Sequence, residues 1–219
     1  MMTPTDMTLD EMRLALAGEV ASAAAFDGWT DAAVDNAAVV HGVDPRVAKL
    51  AFKDGAMAMI GAWIASIDAA MEAKFAADAL ANISIRERIR RLVQFRLDAI
   101  AGKEEALKRA LAIMAMPKNA TQALRFGWQS AGLMWRLAGD ASTDYNYYTK
   151  RATLTGIYTA TLAVFASDQS EGKAETRAFL DRRIGDVIRF EKAKAQMLRP
   201  AEQRFSVTRL LGRLRYPAR

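Results

Sequence analysis

The sequence predicts an all-α protein with about nine body helices, a degenerate helix-turn-helix at its N-terminus and an amphipathic helix at its C-terminus. Three observations predict it. Of the 219 residues 52% are apolar, rich in Ala and Leu and poor in β-branched runs, which favours helix over strand. Apolar side chains recur at three- and four-residue spacing along most of the chain, the period of a buried helical face. Helix start and stop residues (Ser, Thr, Asp, Gly and Pro) stand between those periodic stretches.

Taken in order, Leu9 to Ala25 is the first helix, with Leu9, Met12, Leu16, Val20 and Ala24 near helical spacing. Thr30 and Asp31 cap a second helix running to about His41. Gly42-Val43-Asp44-Pro45 is a tight turn, with Asp as cap and Pro at the first helical position of a short helix from Arg46 to Phe52. Two helices joined by a Gly-containing turn are the layout of a helix-turn-helix. Asp54 to about Ala77 follows, a helix whose Ala58, Gly61, Ala62 and Ala65 permit close approach of a neighbour. Ser84-x-x-Glu87 is a capping box opening a helix to Ile100. There Arg86, Arg88, Arg90, Arg91 and Arg96 read as a solvated face opposite Ile85, Ile89, Leu92, Val93 and Phe95. Lys103 to Met116, Asn119 to Ala138, Asp144 to Ser167 and Gly172 to Met197 complete the body. The expected division is 1–54 (helix-turn-helix-like), 55–199 (helical body) and 200–219 (amphipathic helix).

Composition narrows the chemistry. There is no Cys and His41 is the one His, so thiol nucleophiles, thiolate metal sites and Glu-x-x-His di-iron sites have no residues to build them. No catalytic constellation can be assigned; the expectation is a non-enzyme with no cofactor and no metal. The opening Met-Met-Thr-Pro-Thr-Asp is neither basic nor followed by an apolar run, so no secretion signal is expected, and the longest uncharged run, Ala152 to Ser167, is short for a bilayer span. Net charge is +6 but uneven: residues 1–80 carry 12 acidic and 5 basic side chains, and residues 81–219 carry 13 and 26. Residues 1–54 hold 9 acidic and 4 basic side chains, although DNA affinity rests on surplus Lys and Arg at phosphates. Arg46, Lys49 and Lys53 do lie along the would-be recognition helix. Nucleic acid is therefore not the expected partner, and a transcriptional regulator with an apolar effector pocket stays as the alternative.

The densest stretch is Gly139 to Arg151, Gly-Asp-Ala-Ser-Thr-Asp-Tyr-Asn-Tyr-Tyr-Thr-Lys-Arg. Thr143 or Asp144 can cap the helix after it, and adjacent Tyr147 and Tyr148 sit about 100° apart, so both cannot face a core. An exposed aromatic beside Lys150 and Arg151 is an anchor pattern for a partner surface. Preceded by Gly132-Leu-Met-Trp-Arg and followed by Tyr158-Thr-Ala-Thr161 and Phe179-Leu-Asp-Arg-Arg-Ile184, this stretch resembles the lipid-binding accessory proteins of ubiquinone (coenzyme Q) biosynthesis, here a bacterial member. The likeness is dense from about Leu124 to Val187 and looser from about Leu9 onward. One departure stands out: the family has Trp where this chain has Tyr147.

The resemblance implies a TetR-like fold and a homodimer formed through the last two body helices. It implies binding of a polyprenyl quinone intermediate or a phospholipid, presented to the di-iron hydroxylase of the pathway. Lipid-binding residues would be Leu92, Phe95, Leu111, Met114, Leu124 and Trp128, with Trp135, Leu154, Ile157, Tyr158 and Phe165. On spacing alone a filled core is the favoured reading of the same aromatic and Met surface, and the resemblance reverses it. Met134, Asp144, Tyr147 and Tyr148 match the family's partner-facing patch, and Lys150 and Arg151 beside them are expected to share the partner contact. Beyond Pro200, Val207, Leu210, Leu211 and Leu214 fall at i, i+3, i+4 and i+7 with Phe205 nearby, and Arg209 and Arg213 lie on the polar side. Such a helix can rest in an anionic membrane interface, so the expected location is cytoplasmic, peripheral to the inner membrane.

Overall fold

The structure is a computed structural model that describes residues 7–75, 80, 82–140 and 145–197. Among them are nine α-helices: α1 (Leu9–Asp27), α2 (Asp31–His41), α3 (Pro45–Ala51), α4 (Ala56–Lys74), α5 (Ile85–Ile100), α6 (Glu104–Met114), α7 (Ala120–Leu137), α8 (Tyr145–Ser167) and α9 (Ala174–Met197). The all-helical expectation holds, and element ends agree with the sequence signals to within about three residues. The Asp144 to Ser167 helix begins at Tyr145, and its candidate caps Thr143 and Asp144 lie outside the described residues.

Local chemistry sets those ends. Thr8 forms a capping box with Glu11 that the sequence reading did not pick out: Glu11 N–H donates to Thr8 Oγ1 at 3.3 Å, and Thr8 N–H donates to Glu11 Oε2 at 2.8 Å. The Thr8 N–H and the Thr8 hydroxyl, which also donates to Glu11 Oε2 at 2.8 Å, hold the Glu11 carboxyl below its ordinary pKa. Asp44 accepts from Arg46 N–H at 2.8 Å, with Pro45 at the first helical position. Ser84 accepts from Glu87 N–H at 3.4 Å, as expected. Thr30 stands at the N-cap of α2 but makes no side-chain cap bond.

The chain divides into two compact units, residues 1–181 and 182–219. Within the first, α1 packs along α2 and α4 and touches α3 and α6, while α8 runs between α6 and α7. Met12, Leu16, Val20 and Ala24 are buried as the spacing predicts, whereas Leu9 is half exposed at the helix start. Trp29 ties this layer to the body: its ring lies 5.5 Å from Trp63 of α4, and its Nε1–H donates to Ala106 O at 3.1 Å. α4 is long and apolar enough to cross a membrane by length and composition, yet Met59, Ile60, Trp63 and Met71 are buried in this bundle. Gly61 allows the close approach expected of it: a Cβ there would stand 2.7 Å from the Phe126 ring of α7. In the second unit, Asp186 pairs with Arg183 (2.8 Å) and with Arg189.

The arginine face of α5 departs from expectation. Arg90 pairs with Asp181 at 2.7 Å, and Arg88 donates to the carbonyls of Ile83 and Ala138 at 2.9 and 2.8 Å. Arg96 is not solvated at all; it is 1% exposed. It stands seven residues after Ile89 and four after Leu92, so it shares their buried face.

Candidate functional site: an apolar cavity and a tyrosine patch

α4, α5, α6, α7 and α8 line a half-open cavity of about 230 Å³. Each helix supplies residues at helical spacing: Ile60, Trp63, Ile64 and Ile67 from α4, Leu107, Ala110, Leu111 and Met114 from α6, and Ala123, Phe126, Gly127 and Ser130 from α7. Tyr158, Thr159 and Leu162 of α8, Arg96 and Ile100 of α5 and Ala115 at the end of α6 complete it. The volume lies somewhat below the roughly 300–1,000 Å³ of ordinary small-molecule pockets. A space of that size takes a ring or the first part of an apolar chain rather than a long lipid whole.

One polar cluster interrupts the apolar wall. Arg96 Nη1 pairs with Asp68, and Nη2 donates to Ser130 Oγ at 3.1 Å. Ser130 Oγ donates in turn to Asp68 Oδ2 at 3.2 Å, and the Tyr158 ring lies 5.0 Å from the guanidinium carbon. Burial works against the Arg96 charge, but Tyr158 and Asp68 more than offset it and raise its pKa. Among the described residues no group of three or more His, Asp or Glu side chains is placed to hold a metal.

Of the residues that the resemblance assigns to lipid, Leu111, Met114 and Tyr158 line the cavity. Leu92, Leu154 and Phe165 are buried elsewhere in the core, and Ile157 is half-buried. Phe95 packs edge-on against Phe75 with ring centroids 5.6 Å apart. Leu124 is 68% exposed. Trp128 and Trp135 sit toward the tyrosine patch: Trp128 lies 6.2 Å from the Tyr148 ring, and Trp135 Nε1–H donates to Lys150 O at 3.0 Å. Helix phase explains the split, because positions 123, 126, 127 and 130 of α7 share one stripe while 124, 128 and 135 share another. Arg96, Asp68 and Ser130 were missed; the available signal was a charged or polar residue in phase with an apolar stripe.

The patch is built on the α7–α8 turn. Gly139 has φ +86° and donates to Arg136 O at 3.0 Å, while Asp140 N–H donates to Trp135 O at 3.0 Å. Asp140 then receives Lys150 Nζ at 2.6 Å and pairs with Arg151 at 3.7 Å. Arg151 also donates to Tyr147 O at 3.0 Å, with its guanidinium carbon 3.4 Å from the Tyr147 ring centre. Tyr148 is 62% exposed and Tyr147 half-buried, the two rings 5.1 Å apart and near perpendicular. Met134 is fully buried and Arg151 nearly so. The outer surface of the patch is therefore Tyr148, Tyr147 and Lys150, braced by Arg151 and Asp140, while Met134 belongs to the core. Asp144 lies outside the described residues, as do Phe205, Val207, Arg209, Leu210, Leu211, Arg213 and Leu214.

At the helix-turn-helix-like segment, Lys49 pairs with Asp35 at 2.9 Å, and that bond raises the Lys49 pKa. Val39 and Val40 are exposed there, as is Leu50.

This helical arrangement is that of TetR-type regulators. A TetR transcriptional regulator from Nitrosomonas europaea superposes with a TM-score of 0.63 over 80% of this chain and 96% of that one, at 23% identity. Within that frame, residues 120–191, from the start of α7 into α9, match the COQ9 family model. Rat "Ubiquinone biosynthesis protein COQ9, mitochondrial" is 40% identical over 100 residues, which are 46% of this chain and 32% of that protein. The human protein of the same name is 37% identical over 100 residues, 46% and 31% of the two chains. A probable ubiquinone biosynthesis protein coq9 from Dictyostelium discoideum is 27% identical over 174 residues, 76% of this chain and 56% of that one. The match thus spans about a third of the vertebrate relatives and about half of the Dictyostelium protein. The resemblance read from Gly132 to Ile184 is borne out as a COQ9-type segment in a TetR-like fold.

Proposed function

We propose that the protein is a non-catalytic lipid-binding accessory protein of ubiquinone biosynthesis. It binds the head and proximal tail of a polyprenyl quinone intermediate in the α4–α8 cavity and presents it to the di-iron hydroxylase of the pathway. The observation that carries the reading is the coincidence of two things: a cavity with an almost wholly apolar lining, and a COQ9-matching segment that supplies its α7 and α8 walls. The relatives' names place those proteins in ubiquinone synthesis. A polyprenyl tail is insoluble, so moving such a lipid needs an apolar enclosure, a membrane-docked approach and a face for the enzyme that receives it. In this reading Tyr147, Tyr148 and Lys150 are the enzyme-facing surface, with Tyr147 in place of the family's Trp. Residues 205–214 form the membrane contact, at the cytoplasmic side of the inner membrane, and the working unit is a homodimer through α8 and α9.

The acidic balance of residues 1–54 and the Lys49–Asp35 pair favour this reading over DNA binding. The test is the quinone profile of a strain lacking the gene, measured by mass spectrometry of total lipid. Loss of ubiquinone with build-up of the unhydroxylated late precursor is the expected result. It should be restored by the full chain and not by Tyr147→Ala or by truncation after Pro200. An unchanged profile in a host that makes ubiquinone removes the proposal.

A further inference from the structure

Arg96 is the one charged residue among those lining the cavity, and it is 1% exposed. Its Nη1 and Nη2 are satisfied by Asp68 and Ser130, but its Nε is buried without a hydrogen-bond partner among the described residues. A buried donor on a cation is costly to leave unsatisfied, and native folds seldom keep one without an acceptor from somewhere. Ile60, Trp63, Ile67, Ile100 and Leu107 of the surrounding wall bring no oxygen to it, and Tyr158, which stands beside the guanidinium, makes no hydrogen bond to Nε.

We infer that Arg96 is the polar anchor of the cavity: a neutral, mostly apolar ligand places an accepting oxygen, such as a ring carbonyl, on Arg96 Nε while its carbon skeleton lies against the apolar wall. The inference rests on the lipid-binding reading and narrows the ligand class. Charge balance selects a neutral oxygen. Asp68 already neutralises Arg96, and the cavity lining holds no second cation. A carboxylate or phosphate would bring an uncompensated negative charge close to Asp68 in an apolar enclosure, which is strongly unfavourable. The site therefore fits a quinone-type head and rejects a fatty acid carboxylate or a phospholipid phosphate. Arg suits this role because its planar fork can hold Asp68 and Ser130 with one edge while Nε stays available.

The experiment titrates the full-length protein with a quinone carrying one isoprene unit and, separately, with stearate, following Trp fluorescence quenching, with a fluorescent fatty acid displaced as the stearate readout. Infrared difference spectra of the ¹³C-carbonyl-labelled quinone report the hydrogen bond directly. In the wild type, saturable quinone binding with a carbonyl stretch lowered from its free value is expected, and stearate should bind more weakly. Arg96→Met/Asp68→Leu removes the pair together and should bind the quinone roughly 10- to 100-fold more weakly, with the stretch back at its free value. Arg96→Lys keeps the cation but not the Nε donor, and should lose the carbonyl shift even if the double variant does not fold. Unchanged affinity and stretch in these variants, or tighter binding of stearate than of quinone, overturns the inference while leaving lipid binding intact. No saturable binding of either probe removes the cavity reading itself.

Discussion

Asp68→Leu leaves the Arg96 guanidinium in the core with its main counter-ion gone. Arg96 is 1% exposed and the Asp68 side chain 20%, so little solvent screens the pair. Breaking such a buried pair from one side costs about 3–5 kcal/mol, chiefly the desolvation of the surviving charge. Ser130 Oγ, 3.1 Å from Arg96 Nη2, remains as an acceptor and keeps the expected cost at the lower end, about 3 kcal/mol. For a chain of this size, with a melting shift of about 2–4 °C per kcal/mol, the midpoint should fall by roughly 6–12 °C. Replacing both partners, Arg96→Met/Asp68→Leu, removes the stranded charge, and the midpoint should return to within a few degrees of the wild type. Thermal unfolding followed by circular dichroism at several scan rates measures the wild type, Asp68→Leu, Arg96→Met and the double variant. If the double variant loses as much as the sum of the single variants, Arg96 and Asp68 are not one coupled pair, and the account of the cavity's polar cluster is wrong.

Three further outcomes follow from the geometry. Asp168 accepts from Ser170 and Thr176, bonds that hold its carboxyl well below the usual carboxylate range. A lowered folded-state pKa contributes stability that is present above the unfolded value of about 3.9 and is lost as pH falls toward the folded value. The melting difference between wild type and Asp168→Asn should therefore be largest near neutral pH and shrink in acid; a difference that grows in acid contradicts this. Gly139→Ala meets a backbone at φ +86° and puts its Cβ 2.9 Å from Arg88 Nη1, so it should cost about 1–2 kcal/mol, whereas Gly18→Ala in open space on α1 should be neutral or stabilising by up to ~1 kcal/mol. Denaturant titration of the two variants checks the contrast. A gel shift with upstream DNA at low salt should show no tight, salt-sensitive complex, given the charge of residues 1–54.

Element order was legible because the helix ends are marked by residues whose chemistry acts locally: Asp44 before Pro45, Ser84 before Glu87, Gly42 after His41. Tyr147 and Tyr148 divided between a half-buried and an exposed position, as adjacency on one helix requires. The cavity's identity was harder to read. Periodicity shows that a residue faces inward, not which neighbour it faces, so Trp128 and Trp135 fell toward Tyr148 and Lys150 while Phe126 and Ala123 line the cavity. Arg96 reads in the sequence as one of five solvated arginines because charge in a basic run suggests an outward face. Its partners, Asp68 on α4 and Ser130 on α7, are 28 and 34 positions away and come together only through packing.

The most direct test of a lipid-holding cavity is native mass spectrometry of the purified protein beside an Ala123→Phe variant. Ala123 lies half-buried in the α7 wall, so a phenyl ring there can occupy the 230 Å³ space with modest repacking. A neutral isoprenoid lipid retained by the wild type and absent from a folded variant is the expected result. Equal lipid in both proteins, or none in either after exposure to a short-chain quinone, contradicts the account.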